Sequence, residues 1–271
     1  MIPLLTLTLH TALRAALAAG DTELVCSLDL GRTSTRVVLD AAGWGWDDHR
    51  YPYLQKCRAH TIYYWTDEGF APVARFGNSL YKLVPTLSGP PTFEIDGIKM
   101  LPSAQVSPYA DAERKVGLVG PRGKRILDTC GGLGYFAAWC VALGASAVLS
   151  YEISPEVLWL RSHNPWSPAA NPGVRLVAGS IVAGLAELPD ASFDAVLHDP
   201  PRFGIAGELY SQDFYQQLAR VLAPKGRLFH YTGRPNALTS GRDVPAEVAK
   251  RLARAGFSTT FNGDGVLAFK A

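Results

Sequence analysis

Two rhythms of hydrophobic and polar positions divide this chain. Up to about residue 106, a leading helix is followed by short apolar runs between glycines and prolines, which predicts strands at 26–30, 35–39, 61–65 and 80–83. From residue 125 onward, apolar runs alternate with glycine turns and helical segments, as is typical of a parallel sheet covered on both faces. The pattern predicts a small β-rich domain at 1–106, a polar linker at 107–124 and an α/β domain at 125–271.

The elements of the α/β domain follow a regular order. Strands are expected at 125–127, 147–151, 174–177, 193–197 and 227–231, with helices at 135–143, 155–161 and 211–222. A helix at 244–255 then precedes two strands at 257–261 and 266–269, and the Asn-Gly turn between them is typical of a hairpin. We therefore expect a Rossmann-like parallel sheet that ends in an antiparallel C-terminal hairpin.

Composition narrows the class of protein. The 271 residues are 48% hydrophobic and 18% charged, with a formal net charge of +2, so the chain can bury a large core and is not marked as a strong nucleic-acid binder. The four cysteines form no Cys-x-x-Cys pair, which argues against a structural zinc site and a disulfide framework. The apolar start, 1–20, lacks the basic segment of a signal peptide, and no apolar run reaches the roughly 18 residues of a membrane span. We expect a cytoplasmic protein with no metal and no membrane association; the sequence leaves its oligomeric state open.

A glycine-rich loop, Asp-Thr-Cys-Gly-Gly-Leu-Gly at 128–134, lies between the first predicted strand of the α/β domain and its first helix. Glycines let a backbone approach a ligand closely, and a helix N-terminus supplies unpaired N–H groups. Glu152 ends the second predicted strand, where an acid can bind both hydroxyls of a ribose. The two features together predict a nucleotide-type site.

The Asp-x-x-x-Gly-x-Gly pattern, the acid after the second strand and the terminal hairpin resemble class I S-adenosylmethionine-dependent methyltransferases. The resemblance implies S-adenosylmethionine as the cofactor. It also departs from the family at two positions: Cys130 stands where a glycine is usual, and Ser180 stands where an acid often contacts the adenine amino group. The cofactor-binding residues that the resemblance implies are Asp128, Cys130, Gly132, Gly134, Glu152 and Ser180.

Further motifs make the likeness more specific. They lie at 27–31, 92–100, 164–167, 199–203, 206–211, 228–233 and 241–244. These segments are similar to a family of predicted prokaryotic methyltransferases related to spermidine synthases, so the resemblance covers nearly the whole chain.

The segment His-Asp-Pro-Pro-Arg-Phe-Gly at 198–204 follows the fourth predicted strand of the α/β domain. Two prolines hold the chain in a stiff loop, so that the Asp199 carboxylate and the Pro200 carbonyl could accept the two hydrogens of one amino group. The loop resembles the Asp/Asn-Pro-Pro-aromatic loop of amino-methylating nucleic-acid enzymes. Arg202 takes the place of the aromatic residue, and Phe203 follows it. Either side chain could stack on a base; the alternatives are a salt bridge for Arg202 and core packing for Phe203.

Other polar residues near this loop have two interpretations each. At a strand end, His198 is more typical of a structural histidine than of a proton acceptor. Glu208 and Tyr210 either face the cleft or serve only in capping and packing. A basic cluster after the fifth strand could meet a phosphate backbone or form a solvated helix face; it comprises Arg234, Arg242, Lys250, Arg251 and Arg254.

The sequence therefore favours a methyltransferase that acts on an amino nitrogen, with an exocyclic base amine of RNA as the preferred acceptor. The nearest alternative is a polyamine aminopropyltransferase using decarboxylated S-adenosylmethionine, although Arg202 beside Asp199 has the wrong sign for a polycation. A non-catalytic nucleotide-binding scaffold is a third hypothesis. A fourth rests on 29–36, which is superficially like the phosphate loop of sugar kinases.

Overall fold

The computed structural model describes residues 2–168, 171–233 and 243–271 and consists of two compact units. One unit contains Met1–Asp111 and Trp159–Trp166, and the other contains Ala112–Leu158 and Ser167–Ala271. The stretch expected to be a linker, 107–124, is helical over most of its length, because helix α2 spans Pro108–Val119. Its apolar side chains Ala112, Val116 and Val119 recur at helical spacing and are buried, which a polar linker would not allow.

The first unit is β-rich, as predicted. Its helix α1 spans Leu7–Ala18, and its strands are β1 Leu4–Leu5, β2 Glu23–Cys26, β3 Thr35–Asp40, β4 Gly43–Trp46, β5 His49–Tyr51, β6 Tyr63–Thr66, β7 Gly69–Pro72, β8 Ala74–Phe76, β9 Leu80–Val84, β10 Thr92–Ile95 and β11 Ile98–Lys99. The strands form three antiparallel sheets in the orders β2-β3-β4-β5, β1-β6-β7 and β11-β10-β9-β8. Trp44 stacks on Tyr51 in the core of this unit, with ring centroids 4.4 Å apart.

The strand predicted at 26–30 is wrong, because a turn built around Asp29 replaces it after Cys26. The buried Asp29 carboxylate accepts hydrogen bonds from the Arg32 and Thr33 amides at 3.0 and 2.9 Å, and Ser27 Oγ accepts one from Gly31 N at 2.7 Å. Burial raises the pKa of Asp29, but these hydrogen bonds outweigh it and keep the pKa below its usual value. Side chains thus occupy the amides that a phosphate loop would need, which disfavours the kinase-like hypothesis.

From residue 125 onward the strands and helices alternate as the sequence predicts. After α2 they are β12 Arg125–Asp128, α3 Tyr135–Ala142, β13 Ala147–Glu152, α4 Pro155–Ser162, β14 Val174–Ala178, α5 Ile181–Glu187, β15 Phe193–His198, a 3-10 helix Gly207–Tyr210, α6 Gln212–Val221, β16 Leu222–Tyr231, α7 Val244–Arg254, β17 Phe257–Asn262 and β18 Gly265–Lys270. In the part of the chain that the structure describes, they include a seven-stranded sheet in the order β14-β13-β12-β15-β16-β18-β17. The strands are parallel except for β18, which is antiparallel to both of its neighbours. The predicted α/β fold with its terminal hairpin is confirmed.

Strand β16 begins five residues earlier than the predicted strand, at Leu222 instead of Arg227. Leu222 pairs with Phe193, and Arg227 pairs with Ala195, so the ladder contains an irregularity between them. Lys225 has a φ of 62°, which lets the chain bulge out and return to the ladder. The proline and glycine beside Lys225 therefore mark a bulge inside the strand.

The register of the sheet places the predicted site residues along one edge. Asp128 pairs with Ser150 of β13, and His198 pairs with His230 of β16. Because parallel strands end at the same edge, the ends of β12, β13 and β15 lie side by side. Among the helices of the described residues, none is long and apolar enough to cross a bilayer.

Candidate functional site

The loop after β12 adopts a conformation that depends on its glycines. Gly132 and Gly134 have φ angles of 50° and 82°, and Gly134 caps α3. Residues with a side chain rarely adopt such angles. Gly131 N donates to the Tyr151 carbonyl at 2.7 Å, which fastens the loop to β13. A Cβ added at Gly132 would meet nothing within 4 Å, so a ligand has room above the loop.

Glu152 connects this loop with the end of β13. One of its carboxylate oxygens accepts a hydrogen bond from Gly132 N at 2.9 Å, and the other accepts one from Ser154 N at 2.9 Å. The side chain is half-buried, and a carboxylate oxygen can accept more than one hydrogen bond. A half-exposed carboxylate facing an open glycine loop fits the ribose of an adenosyl cofactor.

Asp128 and Ser180, the other two residues expected at the cofactor site, differ in their exposure. Asp128 is fully buried, and its carboxylate accepts a hydrogen bond from Ser150 Oγ at 2.8 Å, so it joins β12 to β13. Ser180 is half-buried at the start of α5, where the Gly179 amide donates to the Glu152 carbonyl at 2.9 Å. The structure therefore brings the backbone beside Ser180 to the end of β13 and places Asp128 beneath the surface.

Cys130 shows how closely the acidic residues converge. Burial raises the pKa of its thiol well above the usual value; a hydrogen bond with Thr129 opposes this, and the charges of Glu152, Asp128 and Asp199 add to the rise. Three carboxylates at the ends of three strands thus act on the thiol in the glycine loop. This is the acidic end of the sheet to which a cationic cofactor would be attracted.

The proline loop leaves the sheet directly after His198. Asp199 is half-buried and Pro200 is buried, whereas Pro201 is exposed. The Tyr210 hydroxyl donates to the Pro201 carbonyl at 2.9 Å, so this second carbonyl anchors the loop. Among the described residues, no donor occupies the Pro200 carbonyl, which remains a candidate acceptor beside Asp199.

The two residues that follow the prolines, Arg202 and Phe203, lie in different environments. Arg202 is exposed, and in the described ranges no salt bridge involves its guanidinium. Phe203 is half-buried and meets Tyr210 edge to face, with ring centroids 5.4 Å apart. It also lines a cavity of about 400 Å³ together with Val248 and Arg251 of α7. Phe203 therefore combines packing against Tyr210 with a place in the wall of the cavity, while Arg202 is exposed to solvent.

Lys115 is a site residue that the sequence analysis missed. It lies on the buried face of α2, with Ala112 and Val116, and its side chain is only 2% exposed. Its Nζ is 3.5 Å from Asp199 Oδ2, which puts a positive charge directly beside the candidate catalytic carboxylate. Its helical spacing from the apolar residues Ala112, Val116 and Val119 was the signal that could have revealed it.

Two histidines are buried beneath the proline loop. His198 Nδ1 lies 2.7 Å from Thr129 Oγ1, and its Nε2 lies 3.1 Å from the Leu209 carbonyl. His230 Nε2 lies 2.8 Å from the Tyr215 hydroxyl. Burial holds the pKa of His198 well below its usual range and lowers that of His230 to about 4. Both rings are neutral structural groups, as the sequence favoured for His198.

The remaining candidates lie outside the acidic edge or outside the described residues. Tyr210 is buried and supports the loop, and Glu208 is exposed on the 3-10 helix. Arg251 donates to the Tyr210 carbonyl, whereas Lys250 and Arg254 are exposed on α7. Arg234 and Arg242 of the predicted basic cluster lie outside the described residues. Within the described ranges, no group of three acidic, histidine or cysteine side chains could hold a metal ion.

Comparisons with known proteins agree with this architecture. A family model described as a methyltransferase domain matches residues 127–230. The uncharacterized protein MJ1233 of Methanocaldococcus jannaschii is 38% identical over 245 residues, which cover 87% of this chain and 84% of that protein. Polyamine aminopropyltransferase 2 of Streptomyces coelicolor is 32% identical over 148 residues, covering 51% of this chain and 26% of that protein.

Two solved structures are similar in fold. The spermidine synthase of Thermotoga maritima aligns with a TM-score of 0.57 at 12% identity and covers 92% of this chain and 79% of its own. A spermidine synthase in complex with the transition-state analogue AdoDATO aligns with a TM-score of 0.59 at 14% identity, covering 73% of each chain. At such identities the likeness concerns the fold alone.

Proposed function

Since the chain belongs to the same family as the Methanocaldococcus jannaschii protein and is a class I methyltransferase related to spermidine synthases, we propose that it methylates an amino nitrogen, an exocyclic base amine of RNA. The cofactor is S-adenosylmethionine. Its binding would involve the loop of Cys130, Gly132 and Gly134 and the Glu152 carboxylate, with Asp128 supporting the loop from below and Ser180 beside the adenine end.

One observation supports this acceptor class above the others: the carboxylate of Asp199 has a buried lysine as its neighbour. Lys115 Nζ lies 3.5 Å from Asp199 Oδ2. A polyamine is a polycation and would be recognised by surplus negative charge, whereas this carboxylate is already paired. An uncharged aromatic amine needs only a hydrogen-bond acceptor, which the paired carboxylate still provides.

The residues of the proline loop suit such an amine. The Asp199 carboxylate and the Pro200 carbonyl would each accept one N–H hydrogen, so that the nitrogen lone pair points toward the glycine loop. When bound, S-adenosylmethionine supplies an electrophilic methyl group, and the electrons of the broken S–C bond stay on sulfur. The amino nitrogen gives its lone pair to the new N–C bond and releases one proton to water.

RNA is the proposed source of the amine for two reasons. Phe203 lines a cavity of about 400 Å³, and aromatic rings are common stacking partners for unpaired bases. Arg202 is exposed beside it, without a salt bridge among the described residues, and a guanidinium can contact a phosphate or stack on a base.

Labelling with purified protein tests the proposal. RNA incubated with methyl-labelled cofactor and then digested to nucleosides should contain label on an exocyclic base amine, and Asp199→Asn should remove that label while it retains cofactor binding. Transcripts in which every base amine stays unlabelled would refute RNA as the substrate.

Aminopropyl transfer is the second candidate, because the spermidine synthases share this fold and the Streptomyces coelicolor enzyme matches half of the chain. Calorimetry with ordinary and decarboxylated S-adenosylmethionine separates the two functions. A methyltransferase should bind the ordinary cofactor more tightly, since only that cofactor carries the carboxylate which the protein must satisfy. Preference for the decarboxylated form, with product formed from putrescine, would favour the aminopropyltransferase. If the folded protein bound neither form, a non-catalytic scaffold would remain.

A further inference from the structure

The ammonium group of Lys115 lies close to several groups at the edge of the sheet. Its Nζ lies 3.5 Å from Asp199 Oδ2, 4.0 Å from Asp264 Oδ2 and 3.9 Å from the centre of the Tyr231 ring. The side chain is 2% exposed, and a buried ammonium is tolerated only where such partners compensate for lost hydration. Three separate segments, namely the ends of β15 and β16 and the turn between β17 and β18, therefore meet at one charge.

The two carboxylates are not equivalent partners. Asp264 has a second cation, because Arg114 Nη2 lies 2.7 Å from its Oδ1. Its carbonyl also accepts the Thr232 and Gly233 amides at 3.0 and 2.9 Å, so the backbone fixes its place. Asp199 is nearer to Lys115 than Asp264 is, and the proline loop begins at Asp199. The Lys115 ammonium therefore interacts more strongly with Asp199, and Asp264 competes with Asp199 for this interaction.

We propose that Lys115 is a positioning residue for amine methylation, which keeps the Asp199 carboxylate ionised and oriented, and that Asp264 limits how strongly it does so. This inference rests on the proposed function of the site. The ammonium opposes transfer of a proton to Asp199, so the carboxylate serves as a hydrogen-bond acceptor and the proton of the methylated amine leaves to water. The same charge disfavours a protonated amine and restricts the acceptor to an uncharged one.

The elements that form this edge of the sheet and helix α2 carry further titratable or charged groups. They are Asp111 and Arg114 of α2, Asp128 and Cys130 of β12 and its loop, Glu152 of β13, the neutral His198 of β15, Arg202 of the proline loop, and the neutral His230 with Tyr231 of β16. Only Lys115 combines a cationic head, full burial and direct approach to the carboxylate among the described residues. Removal of the Lys115 charge should therefore change the electrostatic potential at the Asp199 carboxylate more than removal of any of these groups.

Two substitutions make opposite predictions. Lys115→Met keeps the length of the side chain and removes its charge, so the acid limb of the profile of kcat/KM against pH should move up by about one pH unit or more. In the same variant kcat should fall about tenfold or more with little change in KM, because orientation of the amine is lost. Asp264→Asn removes the competing carboxylate, so the acid limb should move to lower pH. Lys124→Met is the control, because Lys124 binds the Val119 carbonyl away from the site and its loss should leave the profile unchanged.

A measurement without RNA separates this inference from the proposed function. The Asp199 carboxyl resonance in ¹³C-labelled, cofactor-saturated protein is identified by its loss in Asp199→Asn, and it should titrate at higher pH in Lys115→Met and at lower pH in Asp264→Asn. If the wild type labels no base amine but these shifts occur, the proposed function fails and the pairing stands. Shifts in the same direction, or none in either variant, would overturn the inference. Asp264→Asn alone decides the matter if Lys115→Met does not fold, since it alters a partly exposed turn.

Discussion

The imidazoles of His198 and His230 meet edge to face beneath the proline loop, with ring centroids 4.4 Å apart and planes at 89°. His230 Nδ1 donates to the Tyr231 carbonyl, and its Nε2 accepts from the Tyr215 hydroxyl. His198 Nε2 donates to the Leu209 carbonyl, which leaves Nδ1 to accept from Thr129. In the neutral state both nitrogens of each ring have a hydrogen-bond partner. Protonation of either ring would break the hydrogen bond that its accepting nitrogen makes, and it would place a positive charge beside the other ring.

These histidines predict an acid-sensitive fold. The folded pKa of His230 is lowered from 6.5 to about 4, so the unfolded chain takes up a proton first as pH falls. The contribution of the neutral His230 to the free energy of unfolding is therefore fully present above pH 6.5. It is lost as the pH falls from about 6.5 to 4, and the loss amounts to about 3 kcal/mol. The lowered pKa of His198 acts in the same direction. Urea unfolding between pH 7.5 and 4.5 measures the loss. His230→Gln should flatten the dependence, and the exposed control His49→Gln should not; equal slopes in all three proteins would contradict the assignment.

Tyr210→Phe should loosen the proline loop without emptying the core. The hydroxyl that holds the Pro201 carbonyl is lost, which should cost about 1 kcal/mol of unfolding free energy. Because Asp199 begins the same loop, kcat should fall while cofactor affinity stays unchanged in calorimetry. Tyr215→Phe removes another buried hydroxyl, one that holds His230, and serves as the comparison. A kcat in Tyr210→Phe equal to that of the wild type would show that the loop does not need this anchor.

Glu152→Gln should weaken cofactor binding about ten- to a hundredfold, as judged by calorimetry. Both carboxylate oxygens accept backbone amides, and a carboxamide must turn its NH₂ group toward one of these donors. Glu156→Gln is a suitable control on the same segment, because within the described ranges Glu156 accepts the Ser154 hydroxyl and no backbone amide. Similar affinity in both variants would remove Glu152 from the cofactor site.

Two glycines within helices predict opposite changes in stability. A Cβ at Gly184 of α5 would lie 2.6 Å from the Tyr151 ring, so Gly184→Ala should lower the free energy of unfolding by about 1–3 kcal/mol. A Cβ at Gly117 of α2 would meet nothing within 4 Å, so Gly117→Ala should raise that free energy by about 0.5–1 kcal/mol. Chemical denaturation measures both. A stabilised Gly184→Ala would mean that the Tyr151 ring moves aside at no cost.

The α/β half was predictable because its signals are local. Apolar runs ended by Asp128, Glu152 and His198 specify buried strands, and the observed ends differ from the predicted ones by a single residue. The N-terminal half was less predictable, since strands such as Gly43–Trp46 and His49–Tyr51 contain only four and three residues. At 27–30, side-chain hydrogen bonds to the backbone outweighed the apolar residues that suggested a strand.

Some residues of the candidate site could also be predicted from the sequence, and others could not. Asp199 follows strand β15 directly and Glu152 is the last residue of β13, so their position at the edge of the sheet follows from the order of the elements alone. Lys115 and Asp264 come from a helix before the sheet and a turn near the end of the chain, and only tertiary packing brings them together. Sequence patterns within one element contain no information about such a contact.

The tight hairpin between β17 and β18 has an evolutionary consequence. Asn262 pairs with Gly265, so only two residues make the turn, and Asp264 is one of them. A single inserted residue would carry its carboxylate away from Arg114 and Lys115, although the strands themselves could still pair. Turns at the surface usually tolerate changes in length, but here we expect a relative with a longer turn to have lost its basic pair on α2 as well. Variation of the turn length together with the basic pair on α2 would then show that these two distant segments depend on each other at the acceptor site.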